Sequence, residues 1–162
     1  MFQANRSYFG LSRLLKSNIL SLTSKLRIYK TLIRPIATYG CETWTLTKQQ
    51  ENMLNTFERK ILRYILGPIQ EAGLWRQRMN DELYEIYKDC SIVAFIKSVR
   101  IRWAGHVQRM AESKTAKKVM TGSMQGGRSQ GRPRKRWIDC VESDLQQLEV
   151  VNWTWVAENR DR

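Results

Sequence analysis

Apolar side chains recur at intervals of three and four along most of this chain, and that spacing constrains its fold more than any other feature. Met53, Leu54, Phe57, Ile61, Leu62 and Ile65 mark one face of a long helix. Ahead of them Thr47 and Gln50 stand at capping-box spacing, and Gly67-Pro68 behind them is a stop signal. Ile92, Ile96, Val99, Trp103, Val107 and Met110 form a second stripe, with Ser91 as its candidate cap. The face opposite that stripe is assigned Lys97, Arg100, Arg102 and Arg109.

Shorter runs follow the same rule. Tyr8, Leu11, Leu14 and Leu15 give a helix around residues 3–17, and Leu22, Leu26, Tyr29, Leu32, Ile33 and Ile36 give another, capped by Ser21 or Thr23. Pro35 is expected to kink or end that helix, because it lacks an N–H and crowds the preceding turn. Asn80 is a candidate cap for Leu83, Tyr84 and Tyr87. Trp137, Val141, Leu145 and Leu148 resume the period late in the chain, and Asn152 precedes a last short helix with Trp153 and Val156. The expected fold is all-α: a small helical bundle with a flexible basic linker and a short C-terminal helical tail. Its parts are a bundle over 1–110, a linker over 111–136 and amphipathic helices over 137–162.

The linker is where the charge peaks. The 162 residues carry 28 Lys and Arg against 15 Asp and Glu, net +13. Residues 111–136 hold 8 basic groups and 1 acidic group, net +7, whereas residues 137–162 hold 2 and 6, net −4. A polyanion is the expected partner, since neutralising phosphates releases condensed counterions. Within "GGRSQGRPRKRWIDC" the Gly-Arg-Pro step resembles the core of an AT-hook, although Gln130 stands where a basic residue is usual. Three readings of this segment stay open: phosphate contact through Arg128, Arg132, Arg134, Lys135 and Arg136, a nuclear-import address, or a solvated linker.

Other classes find little support. Cys41, Cys90 and Cys140 are odd in number, form no CxxC pair and have His106 as the one histidine, so neither a disulfide framework nor a zinc site is expected. The N-terminus lacks the apolar core of a signal peptide, and no apolar run reaches the roughly 20 residues of a membrane span. The carboxylates are scattered: Asp81, Glu82 and Glu85 sit at a helix start, and Asp139, Glu142 and Asp144 on a polar helix face. No residues are therefore assigned to catalysis or to a metal, and no cofactor is expected. Trp103, Tyr84 and Trp137 fall on apolar faces, while Tyr64 and Trp75 are freer to stack on bases.

Four blocks, "LRIYKTLIRPIATYGCETWTLT", "FERKILRYILGP", "IRWAGHVQRM" and "GRPRKRWIDCVESDL", occur in that order. Together they resemble the region after the polymerase core in reverse transcriptases of LINE-type, non-LTR retrotransposons. The resemblance runs from about Tyr8 to the end. It implies a helical thumb over 1–110 that grips a template–primer duplex by its backbone. The family's paired-aspartate palm motif has no counterpart here, since no two aspartates are adjacent. The family's endonuclease is also missing, so a fragment or a decayed copy is expected, with polymerase activity belonging to the parent.

The expected function is non-catalytic binding of nucleic acid, as RNA, DNA or RNA–DNA hybrid backbone. The contacts would come from Arg59, Lys60, Arg63, Lys97, Arg100, Arg102 and Arg109 together with the linker cations. The missing polymerase core is a second implied partner, and a membrane is not. The location is expected to be nuclear or cytoplasmic rather than secreted. The alternative is a protein-interaction or self-association module built from the same region.

Overall fold

The computed structural model describes residues 2–122 and 135–159. The chain forms two compact units, one of residues 1–39 and 46–95, the other of residues 40–45 and 96–162. Both are predominantly helical, as the periodicity requires.

In the first unit, helix α1 (Phe2–Lys16) turns Ala4, Tyr8 and Leu15 inward. Helix α2 (Leu22–Ile28) is capped by Ser21, whose hydroxyl accepts from the Ser24 N–H at 3.2 Å. The chain then widens into a π turn, Tyr29–Ile33, and continues as α3 (Arg34–Ala37). The Arg34 N–H reaches back to the Tyr29 carbonyl, one residue further than in an α-helix. Pro35 thus follows a widened turn, and helix continues past it instead of stopping there. Helix α4 (Lys48–Leu66) opens with the expected capping box: the Gln50 N–H donates to the Thr47 hydroxyl at 3.3 Å and the Thr47 N–H to the Gln50 amide oxygen at 2.9 Å. It ends at Gly67, whose φ of 71° a side chain would resist. Leu54, Phe57, Ile61, Leu62 and Ile65 are buried, and Met53 is left in solvent.

A small hairpin follows that periodicity does not foretell: β1 (Ile69–Glu71) pairs antiparallel with β2 (Leu74–Arg76). Its two-residue turn, Ala72-Gly73, has positive φ at both positions, as the tight hairpin turn with the matching twist demands. Helix α5 (Asn80–Tyr87) begins one residue earlier than a cap at Asn80 would place it; the cap position is Met79, whose N–H donates to Glu82 at 2.7 Å. Helix α6 (Ile92–Gln108) starts at Ser91 as expected, with the Ala94 N–H on its hydroxyl. The chain passes from the first unit to the second within α6, after Phe95. The apolar period of α6 runs through that point without a change in composition.

The second unit has its own core. Ala104, Val141 and Leu145 are buried, with Ile101, Trp137, Ile138, Val150 and Trp153 packed around them. Helix α7 (Thr115–Thr121) lies inside the stretch read as linker, so residues up to 121 are ordered. Its Lys117 is buried and donates to the Gln108 carbonyl at 2.8 Å, closing the C-terminus of α6. Helix α8 (Trp137–Gln147) begins where the basic run ends, and α9 (Trp153–Glu158) follows Asn152, which is left-handed and makes no side-chain cap bond.

Candidate nucleic-acid interface

The cations of α4 lie on the side away from its apolar face, and each has a different surrounding. Arg59 folds back on its own helix, donating to the Asn55 carbonyl at 3.1 Å. Arg63 braces the next segment, donating to the Arg78 carbonyl at 3.2 Å and to Asn80 at 2.8 Å. Lys60 is exposed, with its ammonium over the rings of Tyr8 and Phe9 at 5.5 and 5.3 Å. Of the three, Lys60 is the exposed one, and Arg59 and Arg63 are half-buried.

The α6 assignment needs a correction. Arg100 is not on the solvent face; its side chain is 3% exposed. It pairs with Asp144 of α8 and donates to the Trp44 carbonyl at 2.8 Å. The buried face of α6 in this unit is Ile96, Arg100, Ala104 and Val107, a helical period in which Arg100 is the central member. Trp103, expected in the core, is half-buried and stacks on His106 with ring centroids 5.3 Å apart. Lys97 is drawn into the same cluster, 3.1 Å from Asp144 and 3.2 Å from Gln147. Arg102 is exposed and takes no part in the hydrogen bonds and ion pairs among the described residues. Arg109 is exposed and donates to the Ala157 carbonyl at 2.9 Å.

Of the linker cations, Arg128, Arg132 and Arg134 lie outside the described residues. Lys135 and Arg136 are exposed. The Arg136 N–H donates to the Asp139 carboxylate at 2.9 Å, so the acid three residues into α8 serves its N-terminus. The next residue, Trp137, packs on the second core and donates its indole N–H to the Glu42 carbonyl at 2.7 Å. Arg100 and Trp137 therefore hold the 42–44 stretch from two helices.

Sequence reasoning missed a buried carboxylate. Glu58 is 0% exposed, on the apolar face of α4. It accepts from the Tyr29 hydroxyl at 2.8 Å, the Tyr84 hydroxyl at 3.0 Å and the Ile92 N–H at the start of α6 at 2.8 Å. Burial, and then the Glu58 charge, push both phenols well above the ordinary tyrosine range. The signal was its register, four residues from both Leu54 and Leu62. Nearby, Arg34 lies 4.5 Å over the Phe95 ring, and Lys30 pairs with Asp89 at 2.7 Å. Lys30 and then the Cys90 N–H hold Asp89 below the usual carboxylate range, against the effect of burial.

Glu82 also serves local structure. It accepts from Arg76 at 2.7 and 3.0 Å; Arg76, then the Met79 N–H, lower its carboxyl to about 2. Cys41 and Cys140 are buried and Cys90 is exposed, and burial raises the Cys41 and Cys90 thiols. Among the described residues no cluster of His, Cys, Asp and Glu could hold a metal ion, and no helix is long and apolar enough to cross a membrane.

Comparison with known proteins yields one informative likeness. No protein-family profile matches the chain, and no solved structure does. The chain is 25% identical over 153 residues to a Caenorhabditis elegans protein described as uncharacterized and transposon-derived. The match takes in 86% of this chain and 53% of that protein, so the chain spans about half the length of the relative. The likeness supports an origin in a transposable element.

Proposed function

We propose that this chain is a non-catalytic, nucleic-acid-binding segment derived from a retrotransposon reverse transcriptase, and that it grips the backbone of a template–primer duplex. The observation that carries the reading is the charge: net +13, with +7 concentrated in residues 111–136 and exposed cations at Lys60, Arg102, Arg109, Lys135 and Arg136. The transposon-derived relative and the four sequence blocks give that charge a source. Arg100 drops out of the contact set, and Arg59, Arg63 and Lys97 act chiefly as braces. Contacts of this kind position a duplex without reading its sequence.

The test is fluorescence anisotropy on labelled DNA duplex, RNA–DNA hybrid and RNA at several salt concentrations. Neutralising Arg132, Arg134, Lys135 and Arg136 together weakens binding to all three and flattens the salt slope by up to about 0.9 per lost duplex contact. An unchanged affinity and slope would leave the segment as a linker or an import address. Loss confined to A·T-rich duplex would favour a minor-groove arm.

One observation favours a second reading, an interaction module. A groove of 510 Å³ at α8 and α9 is lined by Leu145, Val150, Val151 and Trp153 together with Glu142 and Glu149. Association through such a surface resists salt, which separates it from phosphate binding.

A further inference from the structure

Helix α1 carries a stripe that the cation set above leaves out; within it the Phe9 ring lies 5.1 Å from that of Tyr8 and 5.3 Å from the Lys60 ammonium. Phe2, Arg6, Phe9, Arg13 and Lys16 follow one another at intervals of four, three, four and three, which puts all five on one helical face. That face lies opposite Ala4, Tyr8 and Leu15, which are buried. All five are exposed, Phe2 by 79% and Phe9 by 62%. No acidic residue occurs between Phe2 and Lys16. Among the described residues the ion pairs leave out Arg6, Arg13 and Lys16. Lys60 of α4 adds a further cation beside the Phe9 ring. A β-carbon on Gly10 would meet nothing within 4 Å, so the helix surface at Gly10, next to Phe9, is open.

We propose that this stripe is a binding platform for single-stranded nucleic acid, with Phe2 and Phe9 stacking on unpaired bases and Arg6, Arg13, Lys16 and Lys60 meeting the phosphates. The inference rests on the nucleic-acid reading above and extends it from duplex backbone to unpaired strand. Aromatic rings interleaved with cations are the combination that single strands require: every base offers a ring face, and the backbone offers one charge per nucleotide. Along the helix the stripe spans about 21 Å, the length of roughly six stacked nucleotides. A membrane surface fits less well. Membrane-seated helices separate an apolar face from a cationic one. Here the apolar face of α1 is buried in the unit and the exposed face mixes the two.

The test uses the whole chain with a fluorescein-labelled twelve-nucleotide oligo-dT, a blunt twelve-base-pair duplex and phosphatidylserine vesicles as probes. Phe2→Ala/Phe9→Ala is expected to weaken oligo-dT binding about tenfold or more, with the salt slope unchanged and duplex binding unaffected. Phe2→Tyr/Phe9→Tyr keeps the stacking face and the affinity. Arg6→Gln/Arg13→Gln/Lys16→Gln flattens the oligo-dT salt slope by up to about 2, at about 0.7 per phosphate. All substituted side chains are exposed, and an unchanged thermal midpoint confirms the fold. Equal oligo-dT affinity of the wild type and the double alanine variant overturns the platform. So does an equal loss on the duplex, or a phenylalanine dependence seen with vesicles alone. If the wild type binds both nucleic acids and only the phenylalanine variants are without effect, this inference alone fails. If the wild type binds neither in a salt-dependent way, the proposed function fails with it.

Discussion

Glu58 is a carboxyl group at a core position, and three donors make that tolerable. Buried polar groups persist where their hydrogen bonds are complete, and stripping the acceptor leaves each donor uncompensated. Glu58→Ala is expected to cost about 3 kcal/mol or more in chemical denaturation, and Tyr29→Phe about 1–2 kcal/mol. The same network sets an alkaline limit. In the unfolded chain the Tyr29 and Tyr84 phenols ionise near 10.0; in the folded chain burial and Glu58 hold them protonated far above that. The folded state therefore binds more protons, and this part of the stability is intact below pH 10 and drains away as pH rises beyond it. Thermal midpoints from pH 8 to 11.5 should fall steeply above pH 10, and Tyr29→Phe should fall less steeply. Parallel declines would show that Tyr29 is not the titrating group.

Arg100 and Arg102 make a matched pair at the same scale, two residues apart on one helix. Arg100 and Lys97 together neutralise Asp144, itself buried on α8. Arg100→Ala should cost about 3–5 kcal/mol, as broken buried pairs do, because Lys97 alone must then hold that charge. Arg102→Ala should change stability by no more than about 0.5 kcal/mol and lower the salt slope of duplex binding instead. Denaturation and anisotropy on both variants check this, and a stable Arg100→Ala would return Arg100 to the contact set.

At the scale of elements, helix starts and stops were legible because each has a local cause: Thr47 with Gln50, Gly67, Ser91, and the onset of α8 at Trp137. What escaped was whatever local pattern does not encode. Glu58, Arg100 and Asp144 share the periods of their buried neighbours, yet a hydrophobic pattern treats each as a gap and turns the face away from it. The Ala72-Gly73 hairpin is too short for a period, and Ala72 is an unusual residue at positive φ. Which cations stay free depends in part on distant partners, such as Asp144, 44 residues from Arg100, and no spacing rule reaches that far. Helix α8 offers the clearest test of an element as a unit. Trp137 anchors it through packing on Val141 and Leu145 and through the bond to the Glu42 carbonyl. Trp137→Ala should cost about 3 kcal/mol while leaving the salt slope of the folded fraction intact. A loss of slope without a loss of stability would place Trp137 in the nucleic-acid contact instead.

Across the whole molecule, net charge and usable charge differ. Arg100 and Lys117 are internal, Arg76 is held by Glu71 and Glu82, and Arg34 lies against Phe95 and Asp89. Several acids are committed in the same way. Glu58 joins four segments of the first unit, Glu82 and Asp139 serve helix starts, Asp89 pairs with Lys30, and Asp144 balances Arg100. Nucleotidyl transfer with divalent metals requires carboxylates that converge on one point and remain free to bind the ions. These carboxylates instead stand apart, each facing a guanidinium, an ammonium, a hydroxyl or a backbone N–H. The isolated chain is therefore expected to bind a primed template without extending it. A purified preparation given a labelled primer–template, all four deoxynucleotides and Mg²⁺ or Mn²⁺ should leave the primer at its starting length, while anisotropy on the same substrate reports salt-dependent binding. Template-directed extension that co-purifies with the chain would overturn the non-catalytic reading.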